Sequence, residues 1–221
     1  MTRAYLKEAL FEQFERVAKS LASAKRMDLL DVLSQGERTV EMLAQATGLK
    51  LTTTSAHLQT LRHGGLVASR KEGTRIYYRL ASDDVARLYL CVRDVARRHL
   101  AETDVAARQF LGDDELEPVS RDDLCARVRS GSIVLIDVRP GEEFAAGHID
   151  GALSIPLKEL CDWVQKLPSD LEIVAYCRGE YCVLAYDAVR LLWANGLQAR
   201  RMEGGMLEWS IEGRPATAQP V

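Results

Sequence analysis

The chain has 221 residues, of which 47% are hydrophobic and 28% charged, values that are ordinary for a soluble globular protein. Its length is enough for one large domain or two of about 100 residues. It contains no apolar run of about 18 residues, which excludes a membrane-spanning helix, and no signal-peptide stretch opens it. The five cysteines are too few for a secreted disulfide scaffold, so we expect a protein of the reducing cytoplasm.

The net charge of −3 hides an uneven distribution of charge along the chain. Residues 1–100 contain 17 Lys and Arg against 11 Asp and Glu, whereas residues 101–221 contain 12 against 21. This split indicates two modules, and the basic one is a candidate for binding nucleic acid. We predict domains at residues 1–111 and 120–221, joined by an acidic linker at 112–119 that contains Pro118.

Apolar spacing in the first module predicts helices, then a hairpin, then one more helix. Three helices are expected before Gly48, and a fourth at about Leu51–His63, which starts with threonines and stops at a Gly-Gly pair. Residues 66–80 alternate like two strands around Glu72-Gly73-Thr74. A long helix is predicted from about Asp83 to Leu111.

Two helices joined by a short glycine-containing turn and followed by a basic wing describe a winged helix-turn-helix, which predicts DNA binding. The helix at 51–63 would enter the major groove with short polar side chains, and the basic residues would contact phosphates. Between Lys50 and Arg79, six basic residues face a single acid, Glu72. The predicted DNA-binding residues are Thr52, Thr53, Ser55, His57, Gln59, Arg62, Arg70, Lys71 and Arg75.

Residues of about 10–100 resemble the ArsR/SmtB family of bacterial repressors, through TTSAHLQTLR at 53–62, GLV at 65–67 and RKEGTRIYYRL at 70–80. The resemblance implies a homodimer, docked through its first and last helices, on operator DNA with two-fold symmetry. The cysteine and metal-ligand patterns with which that family senses its signals are missing from the matching positions. We therefore expect no metal site here and a signal that enters elsewhere; Cys91 is expected to be a buried packing residue.

The second module alternates strands and helices, which predicts an α/β domain with a parallel sheet. Its continuous apolar runs, Ile133–Ile136 and Ile173–Tyr176, are typical of strands buried on both faces. Cys177 follows the second run and precedes a helix that starts near Cys182. Ligand sites form at this edge of a parallel sheet, and a helix N-terminus stabilises a thiolate or persulfide anion. We predict that Cys177 is a nucleophile and that Arg178 adds positive charge beside it.

Residues of about 120–215 resemble a rhodanese, or sulfurtransferase, domain. The match includes LIDVR at 135–139, GHIDGA at 147–152, the strand that ends at Tyr176-Cys177, and EGGMLEW at 203–209. The resemblance implies that Cys177 takes a sulfane sulfur and carries it as a covalent persulfide, with no other cofactor. Many active rhodaneses have Arg, Thr or Ser where this chain has Cys182, which argues against efficient thiosulfate turnover. Glu180 would make the rim of the loop unfavourable for an anionic donor.

Two interpretations of Cys182 stay open from the sequence. It is either a small residue at a helix start or a second thiol that reacts with the Cys177 persulfide. A direct disulfide would need the two Cα atoms within roughly 7 Å. By contrast, the resemblance implies that Asp137, Arg139, Glu143 and His148 brace the fold.

Together these patterns predict a DNA-binding regulator, expected to act as a repressor, whose rhodanese-like domain senses or relays sulfane sulfur through Cys177. One alternative is an active thiosulfate or polysulfide sulfurtransferase with a regulatory DNA-binding half. Another is an arsenic- or metal-responsive repressor based on thiols. The partners expected are operator DNA, a second copy of the chain and a small sulfur donor, with no membrane.

Overall fold

The computed structural model describes residues 2–112 and 117–218, which divide after Arg93 into two compact units. Residues 113–116 of the predicted linker lie outside the described residues. Within the described ranges, no helix is long and apolar enough to cross a membrane.

Helices dominate the first unit, and a small antiparallel sheet completes it. Its elements are α1 (Arg3–Leu21), α2 (Ala24–Leu33), β1 (Arg38–Thr39), α3 (Val40–Thr47), α4 (Leu51–His63), β2 (Val67–Glu72), β3 (Arg75–Leu80) and the greater part of α5 (Asp83–His99). The strand order is β1-β3-β2. Strands β2 and β3 form the predicted hairpin, with Glu72 opposite Arg75. Gly73 lies in the turn with a φ of 58°, a left-handed conformation that glycine adopts without strain.

The helix-turn-helix is positioned by local signals that the sequence contains. Thr39 accepts a hydrogen bond from the backbone N–H of Met42 and so caps α3, which ends at Gly48 with a φ of 65°. Helices α2, α3 and α4 then bury leucines in one core, each contributing about 1.5–3 kcal/mol. The fully buried members are Leu29, Leu30, Leu43, Leu58 and Leu61. This arrangement, followed by the hairpin, confirms the predicted winged helix-turn-helix.

The long helix predicted from Asp83 to Leu111 is wrong in one respect, because the structure breaks it at Leu100. This residue has extended dihedral angles, φ −119° and ψ 102°, between α5 and α6 (Ala101–Leu111). The Thr103 hydroxyl donates to the carbonyl of Ala96 across the break, at 3.2 Å. Cys91 on α5 is exposed in the chain, so its predicted burial is also wrong.

Helices surround a parallel sheet in the second unit. Besides α6, its elements are α7 (Arg121–Arg129), β4 (Ile133–Asp137), α8 (Gly141–Ala146), β5 (Leu153–Ser154), α9 (Leu160–Trp163), β6 (Glu172–Tyr176), α10 (Val183–Ala194), β7 (Ala199–Arg201) and α11 (Met206–Ile211). Single 3₁₀ turns, at Leu157–Glu159 and Val164–Lys166, flank α9. Helix α6, assigned to the first domain by the sequence, packs on α10 in this unit. The predicted domain limits at 111 and 120 stay predictions.

The sheet has the order β5-β4-β6-β7, and every adjacent pair is parallel. Strand β6 is central, and its residues 173–176 are fully buried because helices cover both faces of the sheet. This confirms the predicted α/β domain. Cys177 follows directly after β6, at the carboxyl edge where ligand sites form in sheets of this kind.

Candidate functional sites

Helix α4 divides into a buried face and an accessible face. Thr54, Leu58 and Leu61 are fully buried in the first unit. The opposite face carries the predicted DNA-binding residues of this helix: Thr52, Thr53, Gln59 and Arg62 are exposed, and Ser55 and His57 are partly exposed. All six side chains can therefore be reached by a ligand, as base readout in a major groove requires.

Gln59 has a partner that the sequence did not reveal. Its side-chain amide donates a hydrogen bond to the Tyr78 hydroxyl, at 3.0 Å, and Tyr78 lies on strand β3 of the wing. The bond fixes the rotamer of Gln59 and links the exposed face of α4 to the wing. It therefore connects the predicted recognition helix to the predicted wing.

Arg70, a predicted phosphate contact, is held in ion pairs; its role on DNA stays a prediction. Its guanidinium lies 2.6 Å from the Glu37 carboxylate, also pairs with Glu72, and stacks over the Tyr77 ring at 4.4 Å. Hydrogen bonds from these two carboxylates raise the pKa of Arg70 above its ordinary value. Glu37 precedes the segment from Lys50 to Arg79 by more than a dozen residues, so its pairing with Arg70 is not visible in that segment alone. Lys71 and Arg75 are exposed on the same hairpin.

The second candidate site is the loop from Cys177 to Cys182, between β6 and α10. Cys177 is only 1% exposed and belongs to the core beneath α10, whereas Cys182 is partly exposed at the first turn of that helix. The Cys177 thiol donates to the Cys182 carbonyl oxygen, with Sγ and O 3.3 Å apart. The two thiols are close enough for each to shift the pKa of the other. The structure therefore brings together the two cysteines whose proximity the sequence left open.

The neighbouring backbone acts on both thiols and opposes the effect of their burial. The backbone of Ala185 and Gly179 favours the thiolate of Cys177, and the backbone of Arg178 and Leu184 favours that of Cys182. Burial, with the neighbouring Cys182 thiol, raises the pKa of Cys177 well above its usual value. The hydrogen bond from Cys177 lowers the pKa of Cys182. In the reduced pair, the negative charge therefore forms first at Cys182, with Cys177 as its donor.

Arg178 acts differently from the sequence prediction. Its guanidinium binds the buried carboxylate of Glu143 through Nε and Nη2, with N–O distances of 2.7–3.1 Å. The positive charge of Arg178 also contributes to the lowered pKa of Cys182, whereas the sequence predicted that this charge acts on Cys177. Glu143, which is 2% exposed, thereby ties α8 to the loop and supports its predicted bracing role.

Helix α11 holds the first half of the loop from the other side. The N–H groups of Met206 and Leu207 donate to the carbonyls of Cys177 and Arg178, each at 2.9 Å. Gly205 packs so tightly that a β-carbon there would lie 2.4 Å from the Gly179 nitrogen. Cys177 and Gly179 are consequently covered by backbone.

The second half of the loop is accessible. Glu180 and Tyr181 line an open cleft of about 510 Å³, and Cys182 follows them with part of its surface exposed. Glu180 pairs with Arg97, Oε1 and Nη1 being 3.2 Å apart, so its charge is partly balanced within the second unit. The repulsion of an anionic donor that was predicted from Glu180 is therefore weaker. Within the described ranges, no three His, Cys, Asp or Glu side chains form a group that could hold a metal ion.

Two family models match the chain in the places where these sites lie. A helix-turn-helix domain model matches residues 21–70, and a rhodanese-like domain model matches residues 120–212. The chain thus combines a DNA-binding module of the helix-turn-helix class with a module of the rhodanese class.

Similar proteins contain one or both of these modules. The HTH-type transcriptional regulator Rv0324 of Mycobacterium tuberculosis is 52% identical over 209 residues, which cover 95% of this chain and 92% of the relative. A homodimeric winged helix-turn-helix DNA-binding domain from Mycobacterium bovis is 56% identical and covers 43% of this chain and 89% of its own, with a TM-score of 0.41. A sulfurtransferase of Allochromatium vinosum is 30% identical over 87 residues, 39% of this chain and 79% of that protein.

The chain belongs to the HTH-type transcriptional regulators of the ArsR type that have a C-terminal rhodanese-like domain. It is a DNA-binding transcriptional regulator, as the sequence predicted.

Proposed function

We propose that this regulator responds to sulfane sulfur, and that the Cys177–Cys182 pair is the site at which the sulfur is bound. The protein would act as a repressor whose affinity for its operator changes when a persulfide forms on Cys177. The observation that carries the proposal is the 3.3 Å contact between the Cys177 thiol and the Cys182 carbonyl oxygen, which places the two cysteines side by side in one loop.

The chemistry of the loop suits a persulfide. The backbone around the loop favours the thiolate form of both cysteines, and backbone N–H groups at the start of a helix stabilise a sulfur anion. The loop is anchored by Glu143 and by α11, so the donors keep their positions when the charge on sulfur changes. A rigid cradle of this type lowers the cost of holding an anionic persulfide away from bulk water.

The regulator would act as a homodimer on DNA. Helix α1 exposes an apolar face in which each side chain is more than half exposed. A continuous apolar face of this kind marks an interaction surface, whereas single exposed apolar residues are ordinary. Its members are Tyr5, Leu6, Leu10, Phe11 and Phe14. Val92 on α5 is also 38% exposed. First and last helices with apolar faces match the docking surface expected from the family resemblance.

Fluorescence anisotropy on DNA from the upstream region of the gene tests the proposal. Reduced protein and protein treated with a low-molecular-weight persulfide are titrated at one fixed salt concentration, since phosphate contacts make affinity depend on salt. We expect the persulfide to change the operator Kd by about 5–150-fold, the range of typical allosteric couplings. Cys177→Ser should abolish the change, and Cys161→Ser, an exposed cysteine outside the loop, should retain it.

Equal and tight DNA binding in all samples would refute the sensor function. Steady turnover of thiosulfate and cyanide by the same protein would then support the alternative, a working sulfurtransferase that carries a DNA-binding half. The proposal predicts slow turnover instead, because Cys177 is covered by backbone.

A further inference from the structure

We infer that Cys182, and not Cys177, is the thiol that first takes sulfur from the donor, and that it then passes the sulfur to Cys177. This inference rests on the proposed function and assigns an order to its two thiols. In the rhodanese resemblance, by contrast, the first cysteine of the loop meets the donor directly.

Access separates the two thiols. Cys177 is 1% exposed, and the backbone of Gly205 and α11 closes the first half of the loop. Cys182 keeps part of its surface exposed and follows Glu180 and Tyr181, which line the open cleft. A donor that approaches the folded protein therefore reaches Cys182 first, whereas Cys177 requires a local opening of the loop.

Hydrogen bonds favour the same order. The Cys177 thiol is a donor, directed at the Cys182 carbonyl, so its proton is held between the two residues. The Cys177 thiol and, to a smaller extent, the backbone of Arg178 and Leu184 lower the pKa of Cys182. Because the thiolate is the nucleophilic form of cysteine, Cys182 is also the chemically prepared member of the pair.

The sulfur transfer balances as two thiol exchanges. In the first, the Cys182 thiolate attacks the outer sulfur of a persulfide R–S–SH; the S–S bond of the donor breaks, a Cys182–S–SH group forms, and R–S⁻ leaves. In the second, Cys177 loses its proton to the departing Cys182 sulfur and attacks the outer sulfur of Cys182–S–SH, whose S–S bond breaks. The product is a Cys177 persulfide and a Cys182 thiol, and the donor, reduced to a thiol, is the only oxidant required.

Time-resolved peptide mapping by mass spectrometry tests this order with full-length protein and cysteine persulfide as the donor. Samples are quenched by alkylation, and the gain of one sulfur atom is followed separately on the peptides of Cys177, Cys182 and Cys161. The exposed Cys161 serves as an internal reference for an accessible thiol. The intrinsic fluorescence spectrum of each variant shows that the second unit is folded.

We expect Cys177→Ser to take up sulfur at the wild-type rate and to retain it on Cys182. Cys182→Ser should take up sulfur on Cys177 at least tenfold more slowly than the wild type. A smaller slowdown in Cys182→Ser, or no sulfur on Cys182 in Cys177→Ser, would overturn the inference. In that case, wild-type uptake with a shift in operator Kd would leave the proposed function standing, whereas no wild-type uptake at all would refute both. Cys182→Ala and Cys177→Ala repeat the comparison should a serine variant unfold.

Discussion

Replacement of Glu143 by Gln tests how the thiol loop is anchored. The Glu143 side chain is 2% exposed and its partner Arg178 is 21% exposed. Loss of one member of a buried ion pair costs about 3–5 kcal/mol when the other stays buried and uncompensated. Arg178 retains some contact with water, and glutamine still accepts a hydrogen bond, so we expect a smaller loss of about 2 kcal/mol. With a urea m-value of about 2 kcal/mol/M, the unfolding midpoint should fall by about 1 M.

Urea unfolding followed by tryptophan fluorescence measures this loss in the second unit alone. The chain has three tryptophans, Trp163, Trp193 and Trp209, and all of them lie in that unit. Glu142→Gln is the matched control, because Glu142 is the exposed neighbour of Glu143 on α8 and should leave the midpoint unchanged. A Glu143→Gln midpoint equal to that of the control would show that the Arg178 contact does not anchor the loop, and the reasoning would fail.

Three further predictions follow from contacts described above. Gly205→Ala should destabilise the second unit by about 1–3 kcal/mol, because its β-carbon would clash with the backbone of the thiol loop. Gly141→Ala is the control, since its β-carbon would lie in open space and should leave stability unchanged. Urea unfolding compares the two variants. Arg75→Ala should weaken operator binding and lower the slope of log Kd against log salt concentration by about 1. Arg70→Ala removes a charge that is already paired, so both effects should be less than half as large. Anisotropy at several salt concentrations measures both variants, and equal effects would contradict this prediction. Cys182 should still be alkylated at pH values at which a free thiol such as N-acetylcysteine no longer reacts. The pKa of Cys182 is lowered, and the reactive thiolate is present at pH values above that pKa. Identical pH profiles of alkylation for Cys182 and N-acetylcysteine would contradict this prediction.

Elements defined by local signals could be predicted from the sequence. The recognition helix was predicted at about Leu51–His63, and α4 has these same limits, since threonines and a Gly-Gly pair bound it. The hairpin around Gly73 was equally readable. The break at Leu100 was not, because neither glycine nor proline marks it and the apolar stripe continues through it. A side-chain bond from Thr103 and the packing of α6 on α10 accompany it instead.

Long-range pairs account for what the sequence did not show at the two sites. Glu37 and Arg70 are 33 residues apart, and Glu143 and Arg178 are 35 apart. No spacing rule links such positions, so the ion pairs of Arg70 and Arg178 are visible only in the folded chain. The thiol pair is the opposite case. Cys177 and Cys182 are five residues apart in one loop, and their contact was among the alternatives that the sequence offered.

The tight packing of Gly205 closes the thiol loop on one side, while the other side faces an open cleft. The peptide groups of Gly179 and Cys177 rest on the backbone of Gly205 and on the first N–H groups of α11, and backbone packed this closely has almost no compressibility. An extra sulfur atom on Cys177 cannot expand in that direction. If the proposed persulfide forms, we expect its extra volume to be taken up on the side of Tyr181, where the open cleft begins, and so to act on the segment that leads into α10.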